Sequence, residues 1–255
     1  MTSQSKRMLW RMLWKLYSRL PANAGAVVLR AYYLVRYGGR KDVFRSKYLK
    51  NAWDEEETVS GPGSTLKYTE SIRSALPELL RKHSVNRFLD APCGDYNWFR
   101  YVTREPSFSY IGGDIVPDLI HRNQTLFGAP ETRFIGLDIT KDPLPCADLW
   151  MCRDCLFHFS NRDVFRVLAN LLRSNIRLFL TTTHVECLKN TDIATGSFRL
   201  LNLKLKPFSL GQPIAEIDDW IEGYPKRTVA LWRTEDLASA LANNKSLPNI
   251  CSMSG

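Results

Sequence analysis

Apolar positions follow two rhythms along this chain. From Arg87 onward, short apolar runs alternate with longer segments whose apolar residues recur every three or four positions. The short runs predict strands at 87–90, 109–114, 132–137, 147–152 and 176–183. The longer segments predict helices over 96–103, 117–125 and 161–174, with Pro117 suited to a first helical turn. Strand and helix in alternation imply a mostly parallel sheet with helices on both faces, a Rossmann-like α/β architecture. A helix is predicted ahead of the first strand, over 66–82, capped by Ser64 or Thr65 and interrupted at Pro77. Residues 184–227 read as a long loop region, 228–233 as a last strand and 215–217 as its partner.

The N-terminal part is patterned differently. Over residues 6–20, a step of about 100° per residue places Arg7, Arg11, Lys15 and Arg19 on one side. Met8, Leu9, Trp10, Met12, Leu13, Trp14, Leu16 and Leu20 cover the other, and Pro21 stops the helix. A second apolar segment, 24–37, ends at Gly38-Gly39. The first fifty residues hold twelve Lys/Arg and one acid, Asp42, whereas the remaining chain holds twenty-three basic residues against twenty-five acidic. The net charge of +9 therefore belongs to the N-terminal extension. A basic helix with tryptophans on its apolar face suits an anionic membrane surface, or equally a docking site on the body or on a partner. The division expected is a basic amphipathic helical extension at 1–50, a catalytic-type α/β domain at 51–243 and a loose polar tail at 244–255.

Basic residues interrupt every early apolar run, so no secretory signal is expected. The six scattered cysteines are expected as reduced thiols in a cytoplasmic protein, peripheral at the inner membrane face if the basic helix meets lipid. A nearly neutral main domain argues against nucleic acid as the partner.

The chemistry centres on Arg87-Phe-Leu-Asp-Ala-Pro-Cys-Gly-Asp95: a strand ending at Asp90, then a turn through Ala91, Pro92, Cys93 and Gly94. Gly94 removes a Cβ where backbone and ligand approach each other. A single glycine is short of the dinucleotide fingerprint, and Asp90 and Asp95 would repel a pyrophosphate. They suit a ligand that brings an amine or a sulfonium, which points to S-adenosylmethionine. Asp114 follows Asp90 by twenty-four positions, the place of a ribose acceptor, and Asp138 suits an adenine amine with Ile139 against the ring.

Those stretches, with Gly112-Gly-Asp114-Ile115, Leu137-Asp138-Ile139 and Cys152-Arg-Asp-Cys-Leu-Phe-His158, resemble the successive motifs of class I S-adenosylmethionine-dependent methyltransferases. The first motif, with Ala91 and Cys93 in place of further glycines, is similar to that of a bacterial subgroup of undefined substrate. The likeness covers roughly residues 60–235. It implies a seven-stranded sheet whose last strand is antiparallel, and cofactor contacts at Asp90, Gly94, Asp114 and Asp138. Ala91, Cys93, Ile115, Ile139 and Arg153 are placed beside them. It also implies that the loop Ser60-Gly-Pro-Gly-Ser64 closes over the methionine end.

Methyl transfer from a sulfonium needs in-line placement of the acceptor and removal of its proton. His158 is the expected base, His184 its competitor, and Arg153 and Asp154 either orient the acceptor or pair with each other. Cys152, Cys155 and His158 fall short of a four-ligand zinc site, so no metal is expected. The loops 190–193 and 196–203 lie where substrate contacts are made. Arg-Asp-Cys-Leu stands in place of the signature for exocyclic base amines, which argues against nucleic-acid bases; a small molecule or glycan, methylated on oxygen or nitrogen, is the expected acceptor, with a protein substrate left open. The alternative is a non-catalytic module of the same fold that binds a nucleotide or tethers to a membrane.

Overall fold

The computed structural model describes residues 38–242. The predicted helix 6–20, the segment 24–37 and the tail after 243 lie outside the described residues. Twelve regular elements are ordered α1 (Arg40–Leu49), α2 (Glu70–Lys82), β1 (Arg87–Asp90), β2 (Ser109–Asp114), α3 (Pro117–Phe127), β3 (Thr132–Gly136), β4 (Leu149–Cys152), α4 (Asn161–Leu172), β5 (Leu178–His184), β6 (Ala215–Asp218), β7 (Arg227–Arg233) and α5 (Thr234–Ala242). The strands form one sheet in the order β3-β2-β1-β4-β5-β7-β6. β7 enters antiparallel between β5 and β6, and the other pairings are parallel.

The core follows from strand periodicity. Phe88, Leu149, Met151, Leu180 and Leu231 point to one face with α2, while Leu89, Trp150, Phe179, Ala230 and Trp232 point to the other with α4 and α5. Successive side chains on each strand thus enter opposite cores, as the pleat requires. Near-continuous apolar strands are the mark of a sheet covered on both sides. Among the described residues no helix is long and apolar enough to cross a membrane.

Two predicted helices differ. The helix expected over 96–103 is absent: Tyr96 takes a positive φ of 60°, and only a 3-10 turn, Phe99–Tyr101, follows. Tyr96, Trp98, Phe99 and Val102 are buried, and the left-handed backbone at Tyr96 that seats its ring is not a helical one. Tyr96 and Phe99 both lie against Tyr110, with ring centroids 4.9 and 4.7 Å away. The helix before β1 starts at Glu70 rather than 66, because residues 65–69 are drawn into a turn in which Thr69 Oγ1 donates to the Thr65 carbonyl. Neither Ser64 nor Thr65 caps it. That helix also runs unbroken through Pro77. A proline in a helix interior costs about 3 kcal/mol, which burial of Ile72, Leu76, Leu79 and Leu80 offsets several-fold at about 1.5–3 kcal/mol each.

Helix α1 is docked on the body. Its Arg40 bonds to Asp138 and Asp163, at 3.1 and 3.2 Å, and Arg45 pairs with Asp118 at 2.6 Å. Its Phe44 packs against Phe159, 5.9 Å between ring centroids.

Candidate active site

Parallel sheets present ligands at the carboxyl ends of their strands. A cavity of about 370 Å³ lies at that edge, lined at one end by Asp90, Cys93, Gly94, Asp114, Ile115, Asp138 and Ile139. Arg153, Asp154, His158 and His184 line its other half. Residues drawn from five strand ends therefore meet in one space. Of the residues the sequence places at the ligand, Ala91 and Asp95 are off the lining; Ala91 is fully buried beneath the turn, where its carbonyl accepts from the Trp150 indole at 2.9 Å.

The first turn is held by local hydrogen bonds. Gly94 sits at φ +57°, and its N–H donates to Asp114 Oδ2 at 3.3 Å. Asp95 turns away from the cavity. Its carboxylate accepts from Thr58 and Ser60 hydroxyls and from the Val59 N–H, pinning the preceding loop to the turn. Gly63 of that loop is close-packed, since a Cβ there would stand 2.3 Å from Asp154 Oδ2.

Burial dominates the titration of the strand-end acids. Asp90, which accepts from Tyr110 Oη at 2.8 Å, is pushed up to about 8 by burial. Asp114 is pushed up to about 6 by burial, against N–H donors from Val116 and Gly94. Both are buried carboxylates that would gain from a cation or from hydroxyl donors. Asp138 goes the other way: burial raises it, yet Thr140 and Arg40 more than compensate and hold it below the usual range. An adenine amine at Asp138 would thus share a carboxylate that already accepts from Thr140 and Arg40.

Arg153 and Asp154 do pair, at 3.5 Å, but within a larger buried set. Arg153 grips Asp219 with Nε and a terminal nitrogen at 3.0 and 2.8 Å, and donates to the Gly63 carbonyl at 2.7 Å. Arg227 bonds Asp154 at 2.9 Å and lies 3.4 Å from Asp219. Two guanidinium groups thus face two carboxylates. Arg153 thus spends Nε and Nη2 within the protein while lining the cavity.

The two histidines differ in proton placement. His158 Nδ1 faces the Ser197 carbonyl at 2.8 Å and must donate there, which puts the lone pair on Nε2. His184 Nδ1 accepts from the Leu201 N–H at 3.3 Å, so its neutral ring carries the proton on Nε2. Burial pushes both down to about 4, with the Arg227 charge as a further cause at His184. In the neutral form His158 can accept a proton toward the cavity and His184 can only donate one.

Several lining residues were not singled out from the sequence: Arg40, Phe44 and Tyr48 from α1, then Trp53, Tyr68, Trp98 and Tyr224. Of the expected substrate loops, Phe198 reaches the cavity. Asn190 instead donates to the carbonyls of Asn202 and Lys206, and Arg199 donates to that of Phe159, so these two build the loop itself.

Fold and site together define a class I methyltransferase fold. It matches solved structures over most of the chain: magnesium protoporphyrin IX methyltransferase (ChlM) from Synechocystis PCC 6803 with bound SAH, at 11% identity, covers 81% of this chain and 98% of its own, with a TM-score of 0.53. Trans-methyltransferase CalH in complex with SAH, at 13% identity, covers 91% of this chain and 74% of its own, and PigF with SAH, at 15%, covers 88% and 69%; both have a TM-score of 0.54. No protein-family model matches the chain, and no curated protein matches it in sequence.

Proposed function

We propose that the protein is a methyltransferase using S-adenosylmethionine, acting on an oxygen or nitrogen of a small molecule or glycan. What carries the reading is one continuous cavity with strand-end carboxylates at one end and an imidazole lone pair, His158 Nε2, in the other half. The donor set fits this cofactor. Asp90 and Asp114, both raised by burial, would be eased by a positive methionine end and by ribose hydroxyls. A pyrophosphate in the same place would face the Asp114 carboxylate, ionised at neutral pH. The SAH bound in three structural neighbours accords with it.

When bound, S-adenosylmethionine supplies a methyl carbon on a sulfonium that leaves as a neutral thioether. The protein's part is placement and proton removal. Asp114 would accept from the ribose and Asp138 from the adenine amine, while Ile115 and Ile139 supply apolar contact. His158 takes the acceptor's proton at Nε2 as the acceptor atom forms its new bond. The Arg153–Asp154–Asp219–Arg227 set holds the loop of Gly63 and the wall beside the acceptor. His184, carrying its proton on Nε2, would serve as a donor that orients the acceptor.

Calorimetric titration of the full-length protein with S-adenosylmethionine, and in parallel with NADH, tests the reading. Saturable binding of the former alone is expected, and Asp114→Ala should remove it, since the ribose loses its acceptor. Unchanged affinity in that variant would sink the cofactor assignment.

A further inference from the structure

The half of the cavity beyond the strand-end acids is walled by rings. The ring centroids of Phe157 and His158 are 4.6 Å apart, those of Phe157 and Phe198 5.5 Å, and those of His158 and Phe198 5.9 Å. His184 stands edge-on to Phe157 at 5.2 Å, and Trp53 continues the wall 6.4 Å from His158. Phe198 is 58% exposed although it belongs to this wall, a large apolar ring open to whatever enters. The charged groups bordering this half are already matched, Arg153 and Arg227 against Asp154 and Asp219. Lys47 lies with its Nζ 5.5 Å from the Trp53 ring centroid.

We propose that the methyl acceptor is a neutral, planar aromatic compound whose hydroxyl sits at His158 Nε2 while its ring lies along the wall formed by Trp53, Phe157 and Phe198. The proposal rests on the methyltransferase reading and narrows its acceptor. Ring faces and edges reward a flat aromatic partner in offset or edge-on contact. A carboxylate or ammonium group on the acceptor would enter a half-cavity whose charges are already paired, and lose its hydration without gaining a partner. Sugars also lie on rings, but their many hydroxyls each need a partner, and the wall offers mainly carbon. A weakly basic imidazole separates the two as well. An aromatic hydroxyl, acidic near pH 10 in the tyrosine side chain, asks far less of such a base than an aliphatic one.

The test titrates four probes into full-length protein by calorimetry, each with and without saturating S-adenosylhomocysteine. They are 2-naphthol, its anionic counterpart 6-hydroxy-2-naphthoate, its saturated counterpart decahydro-2-naphthol, and methyl glucoside. Naphthol should bind about tenfold more tightly than the naphthoate and the saturated alcohol, with no saturable binding of the glucoside. Phe198→Ala, at an exposed position, should weaken naphthol by roughly fivefold while Phe198→Tyr restores it. Equal binding of naphthoate or of the saturated alcohol, preference for the glucoside, or no naphthol binding at all would overturn the proposal. Naphthol selectivity without any S-adenosylhomocysteine binding would remove the methyltransferase reading instead and leave the ring wall's preference standing.

Discussion

Asp90 should make the protein less stable as pH rises through neutrality. The side chain is buried, and its pKa stands near 8 rather than 3.8. At 1.36 kcal/mol per pH unit, keeping this carboxylate ionised in the fold costs on the order of 5 kcal/mol. Between 3.8 and about 8 the folded state holds a proton that the unfolded chain has released, so stability falls with pH across that window. Other groups act lower. Asp114, raised to about 6, has the same sign but ends near 6, and the two histidines, lowered to about 4, add stability only up to their unfolded value near 6.5. From pH 6.5 to 8 Asp90 acts alone among these, with a loss of about 2 kcal/mol. Urea melts at pH 6.5, 7.2 and 8 should show that loss in the wild type. Asp90→Asn keeps an oxygen for the Tyr110 hydroxyl, which donates at 2.8 Å, and removes the charge. Its stability should be level over the same range and higher than the wild type at pH 8. A variant with the same pH slope as the wild type would refute the account of Asp90 as an acid held neutral by burial.

Two further variants probe the other half of the site. His158→Ala should lower kcat by about 10²–10⁴ and leave S-adenosylmethionine affinity unchanged, because Asp114 and Asp138, the proposed cofactor contacts, are untouched; full turnover would remove it as the base. Asp219→Ala would leave Arg153 and Arg227 facing Asp154 alone. Breaking a buried set in this way costs about 3–5 kcal/mol, read as a lowered urea midpoint, whereas a change under 1 kcal/mol would mean that water replaces the carboxylate.

The strand-end acids were legible because a strand ending at a ligand edge writes its acid into the sequence at a fixed place. Asp90 and Asp114 each end a run of continuously buried strand residues, Asp138 follows the end of β3, and all three line one cavity. Glycine at 94 was legible for the same local reason. The missing helix over 96–103 was not, since its apolar residues have helical spacing, yet a positive φ at Tyr96 breaks it and leaves only a 3-10 turn. What closes the site was illegible for a different reason. Asp219, which takes up Arg153, lies 66 positions from it, and Arg40, which reaches Asp138, lies 98 positions away. Each such pair is set by how loops return to the sheet edge, and no spacing along the chain announces it.

The choice between the two histidines shows the same limit at the scale of one proton. His184 ends β5 and is buried, His158 lies beyond β4 and is half-buried, and burial pushes both down to about 4. Nothing in their residue type separates base from donor. The backbone does: a carbonyl at Ser197 forces the proton onto His158 Nδ1, and an amide at Leu201 forces it off His184 Nδ1. Those groups belong to the loop between β5 and β6, whose residue Phe198 also stands on the ring wall. One loop therefore fixes the tautomer of His158, the proposed base, and supplies a ring to the wall. Exchanging loop residues for others that bind the wall equally well but move the Ser197 carbonyl should leave naphthol affinity intact and lower turnover, a separation that a base fixed by its strand alone would not give.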